Sequence, residues 1–212
     1  DGTRWTGSMN VINSRLIIDN LFIDSNDSED GVNIVNSSFN IKNIEILNAR
    51  SDAIDVDFGT GNIDNISCIN VGNDCLDISG TTLIVNNILA KNVNDKVISA
   101  GEKSTLTVDT VDINSSAIGV VSKDGSNVKI SSFNSNELKL FFSAFTKKNM
   151  FSGESSINVL NGNNNFDIVN KNTLIGLNSS MTYQDKLINN LMQSSKIEKL
   201  MYGHTYGVKT ER

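Results

Sequence analysis

Apolar residues recur at intervals of 22 positions through the middle of the chain. The longest column consists of Val32, Ile54, Leu76, Ile98 and Val120, and shorter columns start at Ile34, Ile41, Ile44 and Ile46. Within one repeat most of these columns lie two or three residues apart, as expected for β-strands with one buried face. A repeat this short cannot hold a helix, a strand and their loops, so it indicates a coil of two or three short strands.

These columns predict an all-β fold, namely a right-handed parallel β-helix with about 22 residues per coil. Each coil of such a solenoid pairs its backbone with the coils before and after it. The pattern starts near Val11 and continues with looser spacing through 157–160 and 166–169, so we expect about seven coils. The 32 asparagines fit this fold, because Asn tolerates left-handed backbone at corners and forms side-chain ladders.

The composition excludes several classes of protein. Asp and Glu outnumber Lys and Arg by 24 to 18, and no basic run is longer than Lys147-Lys148, so a nucleic-acid partner is not expected. No apolar run approaches the roughly 20 residues that span a bilayer, so membrane insertion is not expected either. Residues 1–5 lack the basic start and the apolar stretch of a signal peptide. Cys68 and Cys75 are too few for a disulfide framework, and no Cys and His cluster offers a zinc site.

The chain divides into a β-helix over residues 1–178, a helical cap over 179–203 and a mobile tail over 204–212. In the cap, Thr182 and Asp185 resemble a capping box. The apolar residues that share the next helical face are Leu187, Ile188, Leu191 and Met192. The phase of this pattern changes further along, which leaves open a break into two helices. We expect the cap to lie over the open end of the last coil, because an uncovered edge invites further strand pairing.

The repeat also aligns charged residues. One column contains Asp30, Asp52 and Asp74, a second contains Asn33, Asp55, Asp77 and Ser99, and a third contains Val35, Asp57, Ser79, Gly101 and Lys123. Because Asp55, Asp57 and Asp77 alternate with inward apolar residues, their side chains should point outward from one sheet face. Carboxylates at the roughly 4.8 Å spacing of adjacent strands repel one another unless they are protonated, bonded to backbone N–H groups or bridged by a cation.

Three interpretations of this acidic face are open. In the first, Asp30, Asp52 and Asp74 accept backbone N–H bonds and stabilise the corners. The second is a calcium site, since Ca²⁺ takes several carboxylate oxygens at adjustable geometry. Its candidate ligands are Asp55, Asp57 and Asp77. The third is a catalytic centre that cleaves a glycosidic bond by acid–base chemistry. Its candidate residues are Asp52, Asp74, Asp77 and Lys123.

Four segments of successive repeats carry a resemblance to a family. They read SDAIDVDFGTG at 51–61, GNDCLDISG at 72–80, DKVISAGEKS at 95–104 and GVVSKDGS at 119–126. Together they resemble the right-handed β-helix domains of bacterial surface proteins, some of which stand beside CotH-kinase-like modules. The resemblance covers about residues 30–155 and implies the fold, a pectin-lyase-like β-helix, without an activity.

A more distant resemblance is to polygalacturonase-type pectinases, which are also β-helices. Their catalytic coils carry an Asn-Thr-Asp motif, an Asp-Asp pair, a Gly-His-Gly and an Arg-x-Lys. Asp52, Asp74 and Lys123 match these motifs residue by residue. Asn73 replaces the first acid of the pair, and the His and the Arg are absent. The resemblance implies a polysaccharide substrate, whereas the departures remove residues that inverting hydrolysis uses.

The sequence therefore favours an extracytoplasmic scaffold, or a carbohydrate-associated binding protein, with an Asp-rich face. We expect that face to be flat, because 22-residue coils leave almost no room for loops beside it. Its expected partner is a polysaccharide or a cell-surface protein, and its expected location is extracellular or on the cell surface. The first alternative is a hydrolase or lyase that acts on an acidic polysaccharide. The second is a structural component of a larger surface assembly, and the oligomeric state is open.

Overall fold

Each repeat of the sequence folds into one coil that contributes a short strand and a long strand. The structure is a computed structural model that describes residues 5–151 and 153–207. It is a β-solenoid of about eight turns, so the predicted parallel β-helix is confirmed and one more turn is present than expected. The strands are β1 (Gly7–Ile12), β2 (Arg15–Asn26), β3 (Asp30–Val35), β4 (Ser38–Ala49), β5 (Asp52–Asp57), β6 (Thr60–Val71), β7 (Leu76–Ser79), β8 (Thr82–Gly101), β9 (Thr105–Lys123), β10 (Asn127–Ser135), β11 (Leu138–Phe145), β12 (Ser155–Gly162), β13 (Thr173–Gly176), β14 (Ser179–Tyr183), β15 (Lys186–Leu187) and β16 (Leu191–Met192). The helices are α1 (Phe166–Lys171) and α2 (Ser194–Met201).

The strands form two ladders along the solenoid. The short-strand ladder consists of β1, β3, β5, β7, residues 96–101 of β8, residues 118–123 of β9, β11, β13 and β16. The long-strand ladder consists of β2, β4, β6, residues 82–93 of β8, residues 105–116 of β9, β10, β12 and β14. Coil 1 comprises β1 and β2, coil 2 comprises β3 and β4, and the later coils follow in order. Partners in coils 2 to 4 lie 22 residues apart, as Asp30 and Asp52 do, and an irregularity between Val93 and Lys96 absorbs one extra residue.

The core of the solenoid is a set of stacked aliphatic columns. Ile54 lies between Val32 and Leu76 in the parallel register, and all three side chains are fully buried. Asp55 and Asp57, which alternate with the inward residues of β5, are only partly buried. This confirms the predicted alternation. β-Branched residues suit such columns because their restricted side chains pack well on a pleated surface.

Asparagine forms the predicted corners and ladders. Asn48, Asn70 and Asn92 occupy the same place in three successive coils, and each has a positive φ of 54° to 58°. The Nδ2 of Asn70 donates to Oδ1 of Asn48 at 3.0 Å, and the Nδ2 of Asn92 donates to Oδ1 of Asn70 at 2.9 Å. A second ladder joins Asn43 and Asn65 in the same way. These amides satisfy one another along the axis where the backbone turns.

The last coils differ from the sequence-based expectation. Residues 182–192 do not form a helix, because Gln184 and Asp185 adopt positive φ and turn the chain between β14 and β15. Residues 166–169, which we expected in a strand, lie in α1, whose N-cap is Asn165. Only α2 remains of the predicted cap helix. It is short, because residues 179–192 lie mostly in strands that extend both ladders.

Helix α2 also lies in a different place from the one predicted. Its buried residues Ile197 and Met201 pack against a second apolar cluster that contains Ile118, Leu140 and Phe145. These residues belong to the outer side of the short-strand ladder and not to the interior of the solenoid, whose core is a separate cluster. The helix therefore lies along the outer face and not over the end of the last coil. Of the predicted mobile tail, residues 208–212 lie outside the described part of the chain.

A disulfide joins Cys68 of β6 to Cys75, seven residues further along the chain. Both cysteines are fully buried in the core. Two cysteines give no framework by themselves and their proximity depends on the tight turn between β6 and β7, so the bond is not predictable from the sequence alone.

Within the described residues, no helix has both the length and the apolar character needed to span a bilayer.

The corner geometry predicts the effect of substitutions at Asn70. Asn70→Ala should lower the free energy of unfolding by about 1 to 2 kcal/mol, because left-handed backbone is costly for a residue with a Cβ and no amide. Asn70→Gly should cost less, since glycine adopts this conformation freely. Denaturant unfolding of both variants checks this order. An alanine variant as stable as the wild type, or a glycine variant less stable than the alanine variant, contradicts the assignment.

Candidate functional site

A cleft of about 340 Å³ lies on the outer face of the short-strand ladder, beside the C-terminal end of α2. Its lining residues are Asn73, Asp74, Asp77, Asp95, Lys96, Lys123, Lys147, Tyr202 and Gly207. Three of the four predicted catalytic residues, Asp74, Asp77 and Lys123, thus meet at one place. The fourth, Asp52, lies one coil away and contacts the lining through a hydrogen bond from Asn73 to its Oδ1, at 2.6 Å.

Two aspartates of the first acidic column accept hydrogen bonds from the backbone of the next coil. Oδ1 of Asp52 accepts the backbone N–H of Asp74 at 2.8 Å, and Oδ1 of Asp74 accepts the backbone N–H of Lys96 at 3.0 Å. The interpretation that these carboxylates stabilise corners is therefore confirmed for Asp52 and Asp74. This bonding does not exclude a further role for Asp74, whose second oxygen also faces Lys96.

The floor of the cleft is a buried charge cluster. The ammonium of Lys96 lies 3.2 and 3.3 Å from the two carboxylate oxygens of Asp74 and also contacts Asp95. All three residues are at most 5% exposed. Burial lowers the pKa of Lys96, but attraction by Asp74 and Asp95 outweighs it and raises that pKa above its usual value. Lys96 therefore stays charged.

One ammonium cannot neutralise two buried carboxylates. The pKa of Asp74 is raised to about 7, because burial raises it and the attraction of Lys96, which is shared with Asp95, offsets the effect of burial only in part. Oδ1 of Asp95 is buried without a hydrogen-bond partner among the described residues. The cluster therefore holds more carboxylates than cations, which agrees with the raised pKa of Asp74.

The second and third acidic columns point outward, as predicted. Burial, together with repulsion by the neighbouring Asp57 and Asp77, raises the pKa of Asp55 to about 8. Burial and Asp77 also raise the pKa of Asp57. No group of three His, Cys, Asp or Glu side chains within the described ranges is arranged to hold a metal ion. Calcium binding by Asp55, Asp57 and Asp77 therefore stays a prediction, and the geometry gives it no support.

Lys123 reaches the cleft because Gly101 has no side chain. Lys123 follows Gly101 in the third column, and a Cβ on Gly101 would lie 2.9 Å from Cε of Lys123. The lysine side chain thus lies across the glycine, and its ammonium donates to Oγ of Ser99 at 2.9 Å. Burial lowers the pKa of Lys123, but attraction by Asp77 together with smaller contributions from Tyr202 and Asp74 outweighs it, so the pKa is raised and the group is cationic.

The far wall of the cleft comes from the chain between β11 and β12. Oδ1 of Asp124 accepts the backbone N–H groups of Lys147 and Lys148, at 2.7 and 2.6 Å, and Lys148 pairs with Glu102. These contacts place the ammonium of Lys147 over the ring of Tyr202, 4.0 Å from its centre. The prediction of a flat face is therefore wrong at this end of the solenoid. The segment between β11 and β12, here called the insertion, and helix α2 both rise beside the charged columns.

Sequence reasoning missed several lining residues. Lys96 follows Asp74 by 22 residues, so the repeat alone could have placed it beside that carboxylate. Asp95 could have been found with it as its neighbour. Lys147 and Tyr202 carry no such signal, because their positions depend on how the insertion and α2 fold back onto the ladder.

Comparison with known proteins gives no match to a protein-family model, to a curated protein or to a solved structure. The class of protein is therefore defined by the structure itself, as a parallel β-solenoid with a charged cleft on one outer face. The resemblances to surface-protein β-helices and to pectinases stay predictions.

The raised pKa values predict how stability depends on pH. The ordinary pKa of an aspartate is 3.8, whereas burial raises the pKa to about 6 for Asp52, about 7 for Asp74 and about 8 for Asp55. Between the ordinary pKa and the raised values, the folded state binds more protons than the unfolded state. The free energy of unfolding should therefore fall as the pH rises from about 5 to about 8. Thermal unfolding across this range measures the slope.

Asp55→Asn should flatten this dependence and raise the unfolding midpoint at about pH 8, because the neutral amide removes the titration. Asp109→Asn is the matched control, since Asp109 is an exposed residue of the long-strand ladder. Equal slopes for wild type and Asp55→Asn would show that Asp55 is ionised in the folded protein, against this account.

Proposed function

We propose that this protein is an extracytoplasmic carbohydrate-binding solenoid that holds an acidic polysaccharide along the outer face of its short-strand ladder. The observation that carries the proposal is the cleft, where Lys123, Lys147 and Tyr202 stand beside polar groups of three successive coils. Cations, an aromatic ring and convergent hydrogen-bonding groups are the side chains that suit an acidic sugar.

Three lysines and three aspartates line the cleft, and two of the lysines are available to an anionic ligand. Within the described residues, neither Lys123 nor Lys147 forms an ion pair with a carboxylate, in contrast to Lys96 and Lys148. The ammonium of Lys123 has a hydroxyl partner and that of Lys147 has the Tyr202 ring. A sugar carboxylate between them would form charge-assisted hydrogen bonds, which are stronger than neutral ones.

The outer face beyond the cleft suits a linear polymer. From Asp77 in the cleft the same column continues to Asp55 in the preceding coil, at the roughly 4.8 Å spacing of paired strands. A chain lying along the solenoid axis would meet one such row after another, as ligands do on other solenoid surfaces. The raised pKa of Asp55 keeps that side chain mostly uncharged at neutral pH, which limits repulsion of an acidic polymer.

The proposed location follows from the disulfide. Disulfides persist in oxidising compartments and are rare in reducing ones, so the buried bond between Cys68 and Cys75 supports an extracytoplasmic protein. The resemblance of residues 51–126 to β-helix domains of bacterial surface proteins points the same way. A secreted or surface-attached bacterial protein that contacts a polysaccharide is consistent with both.

A second candidate function is cleavage of the same polysaccharide. Oδ1 of Asp77 is buried without a hydrogen-bond partner among the described residues, and Asp77 shares the cleft with the cationic Lys123. A carboxylate that lacks a partner beside a cation is suited to proton transfer on a bound sugar. The resemblance of Asp52, Asp74 and Lys123 to pectinase motifs supports this alternative.

Binding is tested by calorimetry with uronate and neutral polysaccharides of similar length. We expect the wild type to bind a uronate polymer and Lys147→Gln to weaken that affinity about 10-fold, or about 1.4 kcal/mol. Lys129→Gln is the control, because Lys129 is exposed on the long-strand ladder. Failure to bind any uronate polymer, or an equal loss in the control, contradicts the proposal.

Cleavage is tested by product release from the same polymers, with and without calcium. If the second candidate is right, Asp77→Asn abolishes release, while Asp57→Asn, at an outward position of the neighbouring coil, retains it. Binding without release from any polymer rejects cleavage and leaves the binding function.

A further inference from the structure

One corner column contains a residue that suits its backbone poorly. Residues 36, 58, 80, 102 and 124 each follow the short strand of one coil, and all five have a positive φ, between 44° and 59°. Phe58, at 53°, is the one apolar side chain with a positive φ in residues 5–151 and 153–207. Left-handed backbone is costly for a bulky side chain, so Phe58 suits this corner less well than asparagine would.

Burial does not offset this cost. The side chain of Phe58 is 58% exposed, whereas Ile54 and Val56 of the same coil are fully buried. Phe58 also belongs to neither of the two apolar clusters in the described part of the chain. Unfavourable backbone of this kind is typical of functional positions, where the surrounding structure holds the residue in place. The role of Phe58 therefore lies at the surface and not in the core.

Gly80, at the same corner of the next coil, positions the ring. A Cβ on Gly80 would lie 2.6 and 2.8 Å from Cδ1 and Cε1 of Phe58, so the ring packs on a surface that only glycine leaves free. The backbone N–H of Phe58 donates to the carbonyl of Ser79 at 2.7 Å, which fixes the residue against the same coil. The ring is thus oriented before a ligand arrives, and this lowers the entropy cost of binding.

Phe58 stands on the same rim of the outer face as the insertion. Further along the corner column, Glu102 pairs with a lysine of the insertion, and Asp124 accepts two of its backbone N–H groups. In the other direction, Asp77 of the cleft pairs in register with Asp55, which precedes Phe58 in coil 3. A polymer that leaves the cleft towards coil 3 therefore reaches the exposed ring one coil further on.

A sugar ring offers two kinds of surface. Its hydroxyl and carboxylate groups need polar partners such as those in the cleft, while its C–H groups form an apolar face that packs on an aromatic ring. We propose that Phe58 is a stacking platform for one sugar ring of the acidic polysaccharide, at a subsite one coil beyond the cleft. The inference rests on the proposed function and deepens it, because this subsite recognises the ring of the sugar and not its charge.

Calorimetry with a uronate polymer tests the platform. Phe58→Asn should weaken the affinity about 10-fold, whereas Phe58→Trp should keep it, because the larger ring presents the same kind of face. Phe22→Asn is the matched control, since Phe22 is about equally exposed but lies on the long-strand ladder. This control should bind the polymer as the wild type does.

The outcomes separate this inference from the proposed function. If the wild type binds no uronate polymer, both fail. If Lys147→Gln weakens binding and Phe58→Asn does not, the polymer binds in the cleft and the platform alone is wrong. An equal loss of affinity in Phe22→Asn also overturns the platform.

Unfolding in denaturant tests a purely structural role of the ring. Asn36 holds the same corner position in coil 2, so asparagine suits this backbone. We expect Phe58→Asn to unfold at a denaturant midpoint no lower than that of the wild type, despite its loss of affinity. A clearly lower midpoint would show that the ring serves the fold by covering Gly80, and would overturn the platform.

Discussion

Parallel backbone pairing between successive coils is the constraint on which the rest of this structure depends. It fixes which residue of one coil lies beside which residue of the next, so a 22-residue spacing in the sequence becomes a contact in space. The aliphatic columns of the core follow from it, and so do the asparagine ladders at the corners. Each coil buries its interior only with the help of its neighbours.

The same constraint builds the cleft. Along one outer column the chemistry changes from carboxylates at Asp52 and Asp74, through the ammonium of Lys96, to the apolar side chains of Ile118 and Leu140. Where the column is apolar, α2 packs on it and buries Ile197 and Met201. Where it is charged, the face stays open. The cleft is the boundary between these two regions.

The sequence predicts those parts of the fold and of the candidate site whose positions are set by the pairing of successive coils. The repeat predicts the fold and brings Asp74, Asp77 and Lys123 near one another, because those positions are set by local spacing. It does not predict the wall formed by Lys147 and Tyr202, since long-range folding of the insertion and α2 decides it. The helix predicted over residues 182–192 is wrong, because the chain turns at Gln184 and Asp185 with positive φ despite the apolar pattern around them.

Excision of one whole coil tests the central claim most directly. Removing residues 30–51 joins Glu29 to Asp52 and leaves β5 in the register that β3 now has against β1. Thermal unfolding followed by circular dichroism should show a cooperative β-sheet transition for this variant, at a somewhat lower midpoint, because one nearest-neighbour interface is lost. Removing residues 30–40 alone should abolish the transition. If both deletions unfold the protein equally, the coils are not interchangeable units and the account is wrong.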